Sequence, residues 1–383
     1  MKFKNSKLTE KLRSIGIEYP EKKDIPRTYF CTEIEIILTY NCNLSCDYCW
    51  QRKAEYNRKS EMDKRTLKNL VQYIKKTNKN FMGTYSIGYM GGEPLLMFDF
   101  IKWSYSYLKE HLSKKLSIRI LTNGTIITQD MCEFLKKNCI TVIISLDGPK
   151  NINKRRGNYD KVLNGINLLI RNGIFPKIQS TLNINDFVNG SGLETVKFFL
   201  DLNLKNFSLM FEGPLQKYDE NLLYNIYLDI LKYALEWTFS KKQVPLIIKE
   251  FLSFLIAPET NVSQCFCRFL YPKGFQIAPN GELFACEFDR SKMAYGNVND
   301  NSNLPAISSH PLAYTTTKYG NVLCANCVYV GICDGYPLLC SLYKNSMLCP
   351  RQQYFKACFD VIYPQINSLL SILRREKNED NTL

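Results

Sequence analysis

Cys42, Cys46 and Cys49 fall within ten residues, "NCNLSCDYCW", separated by three and two intervening positions. A disulfide takes two cysteines and a closed structural zinc site takes four ligands, so a set of three suits neither. Three thiolates can each hold one iron of a four-iron cubane and leave the fourth iron open, much as catalytic zinc keeps one position free for its substrate. The chain has two histidines, His111 in the charged stretch "LKEHLSKK" and His310 in the loop-like "ISSHPLAY", and neither reads as a ligand. Metal chemistry in this chain is therefore thiolate chemistry, which means zinc or iron–sulfur.

Four peptides that could line a pocket follow short apolar runs. The cysteine triad follows "EIEIILT" (33–39), "GGEPLL" follows "TYSIGYM" (84–90), "NGT" follows "LSIRILT" (116–122) and "DGP" follows "TVIISL" (141–146). These runs are rich in β-branched residues and read as strands, as do "FPKIQSTLNI" (175–184) and "NFSLMF" (206–211). Between them lie segments with apolar residues at helical spacing: 62–76, 98–112, 128–138 with Thr128 as N-cap, 159–172 and 193–202. Six strands alternating with helices predict a parallel sheet of βαβ units, with strands buried on both faces. Chemistry in such a barrel sits at the C-terminal strand ends, where all four peptides fall.

A helical stretch (218–237) follows, and then the composition changes. Nine cysteines lie between residues 265 and 358, amid short strands and turns such as "GFQIAPNGELFACEF", whose "PNGE" (279–282) is a hairpin signal. A helix, "RQQYFKACFDVIY", closes this stretch. The expected division is a lead-in over 1–32, a barrel over 33–240, a cysteine-rich module over 241–360 and a C-terminal helix and tail over 361–383.

The chain has 383 residues, 45% of them hydrophobic, with a net charge of +14. The basic residues are scattered apart from "KNINKRR" (150–156), so nucleic acid is not the expected partner. No run reaches the roughly 18 apolar residues of a membrane span, and no signal peptide is recognised. A cytoplasmic location is expected, where thiols stay reduced and fifteen cysteines are metal ligands or core residues, not disulfides. Cys31, Cys132, Cys139 and Cys358 are read as structural.

"CNLSCDYC" with "GGEP" on the next strand resembles the radical S-adenosylmethionine (SAM) superfamily. The resemblance implies a partial (β/α)6 barrel, in agreement with the strand count. It also implies a [4Fe–4S] cluster on Cys42, Cys46 and Cys49 whose open iron chelates S-adenosylmethionine. Tyr48 matches the aromatic residue whose backbone meets the adenine. Gly91, Gly92 and Glu93 match the motif that receives the methionine amino group, since glycines allow close backbone approach and a carboxylate pairs with an ammonium. Asn123 stands at the third strand end. Ser145 stands at the fourth, where the family contacts the ribose. Arg156 aligns with an arginine that holds the methionine carboxylate, with Arg155 as its alternative.

The second cysteine group resembles the SPASM extension of that superfamily, which carries two auxiliary [4Fe–4S] clusters. The carrying features are Cys267, thirteen residues, Gly281, four residues, Cys286; then "YGNV" (295–298) and "CANCVYVGIC". Ligand assignments on this likeness are Cys265, Cys267, Cys286 and Cys340 for one cluster, and Cys324, Cys327, Cys333 and Cys349 for the other. Exchange of Cys349 with Cys358, or loss of Cys265, stays open, and so does zinc in place of the clusters. Six residues separate Cys333 from Cys340 where the family has three, so an auxiliary iron with an open position is a further alternative.

The implied chemistry is reductive cleavage of S-adenosylmethionine to a 5′-deoxyadenosyl radical that takes hydrogen from a C–H bond of a peptide or protein. A flavodoxin- or ferredoxin-type electron donor is implied, and a separate leader-peptide-binding protein is a candidate partner. A maturase of ribosomally synthesised peptides is favoured. An anaerobic sulfatase maturase is the alternative, but that group has Gln directly before "GGEP" where this chain has Met90. Such maturases place an aspartate after an auxiliary cysteine to take a substrate proton; here Glu287 follows Cys286 and is the candidate general base. A non-catalytic iron–sulfur electron carrier or redox sensor is the alternative of another class.

Overall fold

The six apolar runs become six parallel strands: β1 (Glu33–Thr39), β2 (Tyr85–Gly91), β3 (Leu116–Thr122), β4 (Thr141–Ser145), β5 (Lys177–Leu182) and β6 (Phe207–Phe211). The computed structural model describes residues 32–53, 60–79, 81–112, 115–212, 218–256, 274–284, 294–300, 304 and 350–380. The helices between the strands are α1 (Lys64–Thr77), α2 (Phe98–His111), α3 (Gln129–Lys137), α4 (Tyr159–Arg171) and α5 (Gly192–Asp201). Their starts follow from capping chemistry. The Asp63 side chain accepts from the Thr66 amide at 2.7 Å, and Thr128, the expected cap, accepts from the Met131 amide at 3.3 Å. After the barrel come α6 (Glu220–Lys241), α7 (Leu246–Ile256), α8 (Pro350–Val361) and α9 (Ile366–Asp380).

The sheet does not end at β1. The order is β6-β5-β4-β3-β2-β1-β7-β8-β9, with β7 (Gly274–Ile277) parallel to β1, and β8 (Glu282–Phe284) and β9 (Ala294–Asn297) antiparallel beyond it. The hairpin read from "PNGE" is the β7–β8 turn, closed by the Gly281 amide donating to the Ala278 carbonyl at 2.9 Å. The direct pairing of β7 with β1 was not expected from the sequence.

One face of each barrel strand carries the core. Ile34, Ile36 and Leu38 of β1 alternate with Glu33, Glu35, Ile37 and Thr39, and the first set packs in the main core with Ile87, Ile118, Ile120, Val142 and Ile144 of the neighbouring strands. Each such side chain contributes about 1.5–3 kcal/mol on burial. The expectation of strands buried on both faces is corrected here: β3 to β5 alternate between buried and partly exposed positions. The opposite face is mixed, with Ile37 buried in a second apolar cluster with Tyr40, Ala278 and Phe284, and with charged side chains at the start of β1. There, Glu35 and Arg119 form an ion pair across β2, because Gly88 between them leaves room; a Cβ on Gly88 would lie 1.8 Å from Glu35 Oε2. Arg119 also donates to Ser86.

Of the remaining cysteines, Cys132 and Cys358 are fully buried, as expected of core residues, whereas Cys139 is exposed in the turn after α3. His111 stacks on Tyr107, with 4.0 Å between ring centroids. Among the described residues no helix is long and apolar enough to cross a membrane.

Candidate active site

The triad loop leaves β1 and is held at three places. Its first arm meets the end of β2. The Gly92 amide donates to the Thr39 carbonyl at 2.7 Å, and the Glu93 amide to the Asn41 carbonyl at 2.8 Å. Only glycines permit this approach. A Cβ on Gly92 would lie 2.1 Å from the Asn41 carbonyl oxygen, and one on Gly91, whose φ is +142°, 2.3 Å from that of Thr39. The close backbone approach expected of these glycines is thus made to the triad loop itself.

Glu93 is fully buried, and its carboxylate ties β2 to β3. One oxygen accepts from the Leu95 amide at 3.0 Å and from the Thr122 hydroxyl at 2.6 Å; the other accepts from the Asn123 amide at 2.7 Å. Burial pushes its pKa up, and these donors, with the more distant Arg156, pull the other way. Asn123 continues the chain of contacts. Its side-chain amide donates to Asn43 at 2.8 Å and approaches Cys42 Sγ at 3.9 Å, while Asn43 donates to Thr125 at 2.8 Å. The second hold on the loop is therefore Asn43 against the β3 end.

The third hold is on Asp47 and Tyr48, which lie between Cys46 and Cys49. Tyr48 donates to Asp147, which is 1% exposed. Asp147 also accepts from Arg156 Nη2 at 3.1 Å and from the Thr181 amide at 3.0 Å, while its own carbonyl receives Ser180 at 2.8 Å. Motif reading missed these contacts of Asp147, because "DGP" reads as a simple turn. Arg155 binds Asp47 at 3.0 Å and Glu212 at 3.0 and 3.3 Å. The two arginines differ in what they contact. Arg155 has its guanidinium engaged on both sides, whereas Arg156 keeps a buried Nε with no partner. Burial works against the charge of Arg156, yet Asp147 holds its pKa above the ordinary value. Ser145 lies at the C-terminal end of β4, partly exposed, as its place at the rim requires.

The three triad cysteines are free and partly buried. Burial pushes the Cys42 and Cys46 thiols up, opposed at Cys42 by the Leu44 amide and at Cys46 by Arg156. Loading iron here must displace protons. A buried guanidinium donor without a partner, beside these thiols, suits an anionic group of a bound cofactor. The residues present therefore fit a [4Fe–4S] cluster with S-adenosylmethionine.

Cys31, Cys265, Cys267, Cys286, Glu287, His310, Cys324, Cys327, Cys333, Cys340 and Cys349 lie outside the described residues.

Residues 36–198 match the Radical SAM superfamily. The chain is similar to the radical SAM cyclopropyl synthase TigE of Paramaledivibacter caminithermalis, 24% identical over 331 residues, covering 79% of this chain and 66% of that one. It is also similar to the cysteine-type anaerobic sulfatase-maturating enzyme of Clostridium novyi, 30% identical over 156 residues, covering 38% of this chain and 42% of that one. The matched stretch thus spans just under two thirds of the first relative and under half of the second. Among solved structures, native anSMEcpe with bound AdoMet and Cp18Cys peptide has a TM-score of 0.70 at 18% identity, covering 90% of this chain and 99% of that one. That likeness is one of fold.

Proposed function

Since residues 36–198 of this chain match the Radical SAM superfamily, we propose that the protein is a radical SAM enzyme that modifies a peptide or protein, as a maturase of a ribosomally synthesised peptide. The observation that carries this reading is the buried, unpartnered Nε of Arg156 beside a loop of three free cysteines. Cys42, Cys46 and Cys49 would hold a [4Fe–4S] cluster and Arg156 the carboxylate of S-adenosylmethionine. The backbone of Tyr48 would meet the adenine and Ser145 the ribose. Gly91, Gly92 and Glu93 remain the candidates for the amino group, although both Glu93 oxygens already accept from this chain. When bound, that pair of groups supplies one-electron cleavage to a 5′-deoxyadenosyl radical, which takes hydrogen from a peptide C–H bond.

The auxiliary module is part of the proposal. Cys265, Cys267, Cys286, Cys324, Cys327, Cys333, Cys340 and Cys349 would hold two further [4Fe–4S] clusters, and a flavodoxin- or ferredoxin-type donor in the cytoplasm would supply the electron to the triad cluster. A separate leader-binding protein would present the substrate. The sulfatase-maturase reading is favoured by the similarity to the Clostridium novyi enzyme, and Met90 before "GGEP" weighs against it.

Anaerobic reconstitution, followed by S-adenosylmethionine and dithionite, tests the activity. Roughly twelve irons per chain are expected for three [4Fe–4S] clusters, with 5′-deoxyadenosine formed even without substrate. Absence of 5′-deoxyadenosine from an iron-loaded sample would make the protein an electron carrier instead. A cysteine-containing sulfatase peptide separates the two maturase readings, since formylglycine in it would establish the sulfatase reading. With a substrate identified, Glu287→Gln is expected to lower product about 100-fold while 5′-deoxyadenosine persists, the range for losing a general base. Unchanged product would return Glu287 to a solvated hairpin end.

A further inference from the structure

The triad loop is fastened to the far side of the barrel by a chain of charged groups that the cofactor contacts do not use. Glu212 directly follows β6, and its amide donates to the Leu182 carbonyl at 3.0 Å, so its backbone continues the sheet ladder. Both its carboxylate oxygens accept from Arg155, at 3.0 and 3.3 Å, and one also accepts from Asn183 at 2.6 Å. Arg155 in turn donates through Nε to Asp47 at 3.0 Å, and its carbonyl accepts from the Asp47 amide at 3.3 Å. Its guanidinium lies 5.1 Å from the centre of the Tyr48 ring. Asp47 and Tyr48 are the two residues between Cys46 and Cys49, so this chain grips the triad at its centre.

We infer that Glu212, Arg155 and Asp47 form a rim clamp that sets where the cofactor-bearing loop stands over the barrel, with Glu212 and Arg155 as positioning residues for the radical reaction. The inference rests on the radical SAM reading of the triad loop. The geometry separates two arginine roles that adjoin in sequence. Arg156 is buried against Asp147 with a donor left over, whereas Arg155 has donors committed to two carboxylates from opposite ends of the barrel. A planar guanidinium can hold two carboxylates at a fixed angle, which a lysine ammonium does not. Position matters because a displacement of about 1 Å in the reacting geometry can lower a rate about 100-fold.

The test uses the full reconstituted chain, with S-adenosylmethionine and dithionite as the probe. Glu212→Ala and Arg155→Met are expected to keep the iron content and the cofactor-free EPR spectrum of the wild type. The spectral change on adding S-adenosylmethionine should weaken, and the KM for its cleavage should rise about 10-fold. Because both changes break one chain of contacts, the double variant should be no worse than either single one. Arg155→Lys should recover less than Glu212→Gln, which keeps the shape of the acceptor. Unchanged KM and EPR response in both single variants, or fully additive effects, would overturn the clamp. Loss of iron at an unchanged melting temperature would assign the contacts to cluster assembly and likewise overturn it. A wild-type sample that fails to cleave S-adenosylmethionine would instead refute the underlying reading.

Discussion

Replacing Cys42, Cys46 and Cys49 together by alanine is expected to remove about one third of the bound iron, one [4Fe–4S] cluster of three, and to abolish 5′-deoxyadenosine formation. The reasoning is local. The three thiols sit on one loop held by β2, by the β3 end and by the Arg155–Asp147 side, so the scaffold persists without them. The remaining iron should keep the absorption and EPR signals of the proposed auxiliary clusters, because the cysteines proposed to hold them lie beyond residue 264. Iron analysis and product chromatography check both halves of the result. A triple variant that retained its full iron, or still cleaved S-adenosylmethionine, would show that the open iron lies elsewhere.

Asp147→Ala carries the largest expected loss of stability, about 3–5 kcal/mol, the range for removing one partner of a buried ion pair. Arg156 is 9% exposed in its side chain and Asp147 is 1% exposed, so the orphaned cation cannot turn to water without rearrangement. Tyr48 and the Thr181 amide lose their acceptor at the same time. A lower urea midpoint at unchanged m would report this. Asp147→Asn keeps the shape and one acceptor, and should recover part of the loss. A change below about 1 kcal/mol, the value of an exposed pair, would mean that water reaches Arg156 once Asp147 is gone.

Much of this architecture could be read from local pattern. Short β-branched runs separated by helical periodicity marked all six barrel strands, and the motif peptides of the first four fell at their C-terminal ends. What escaped depended on contacts distant in sequence. Asp147 looked like the start of a turn, and its partners Tyr48 and Thr181 are 99 and 34 positions away. Glu212 follows its strand without any local signal, and Arg155 lies 57 positions before it. Glu93 carried a motif assignment toward a ligand amine, yet its carboxylate meets three donors of its own chain. The pairing of β7 with β1 had no local signature, since four residues, "GFQI", decide it.

That pairing bears on how the chain reaches its folded state. β1 is bonded on one side to β2, about 50 residues later, and on the other to β7, about 240 residues later. Contacts of such long sequence separation slow folding. At a synthesis rate of about 5–20 residues per second, the outer edge of β1 waits some tens of seconds for its partner to emerge. An open strand edge invites pairing with another chain. Glu35 sits on that edge with its carboxylate turned across β2 to Arg119, and a charged side chain is one of the devices that keeps a waiting edge from accepting the wrong strand. The same residue that pairs with Arg119 in the finished sheet thus guards the nascent one.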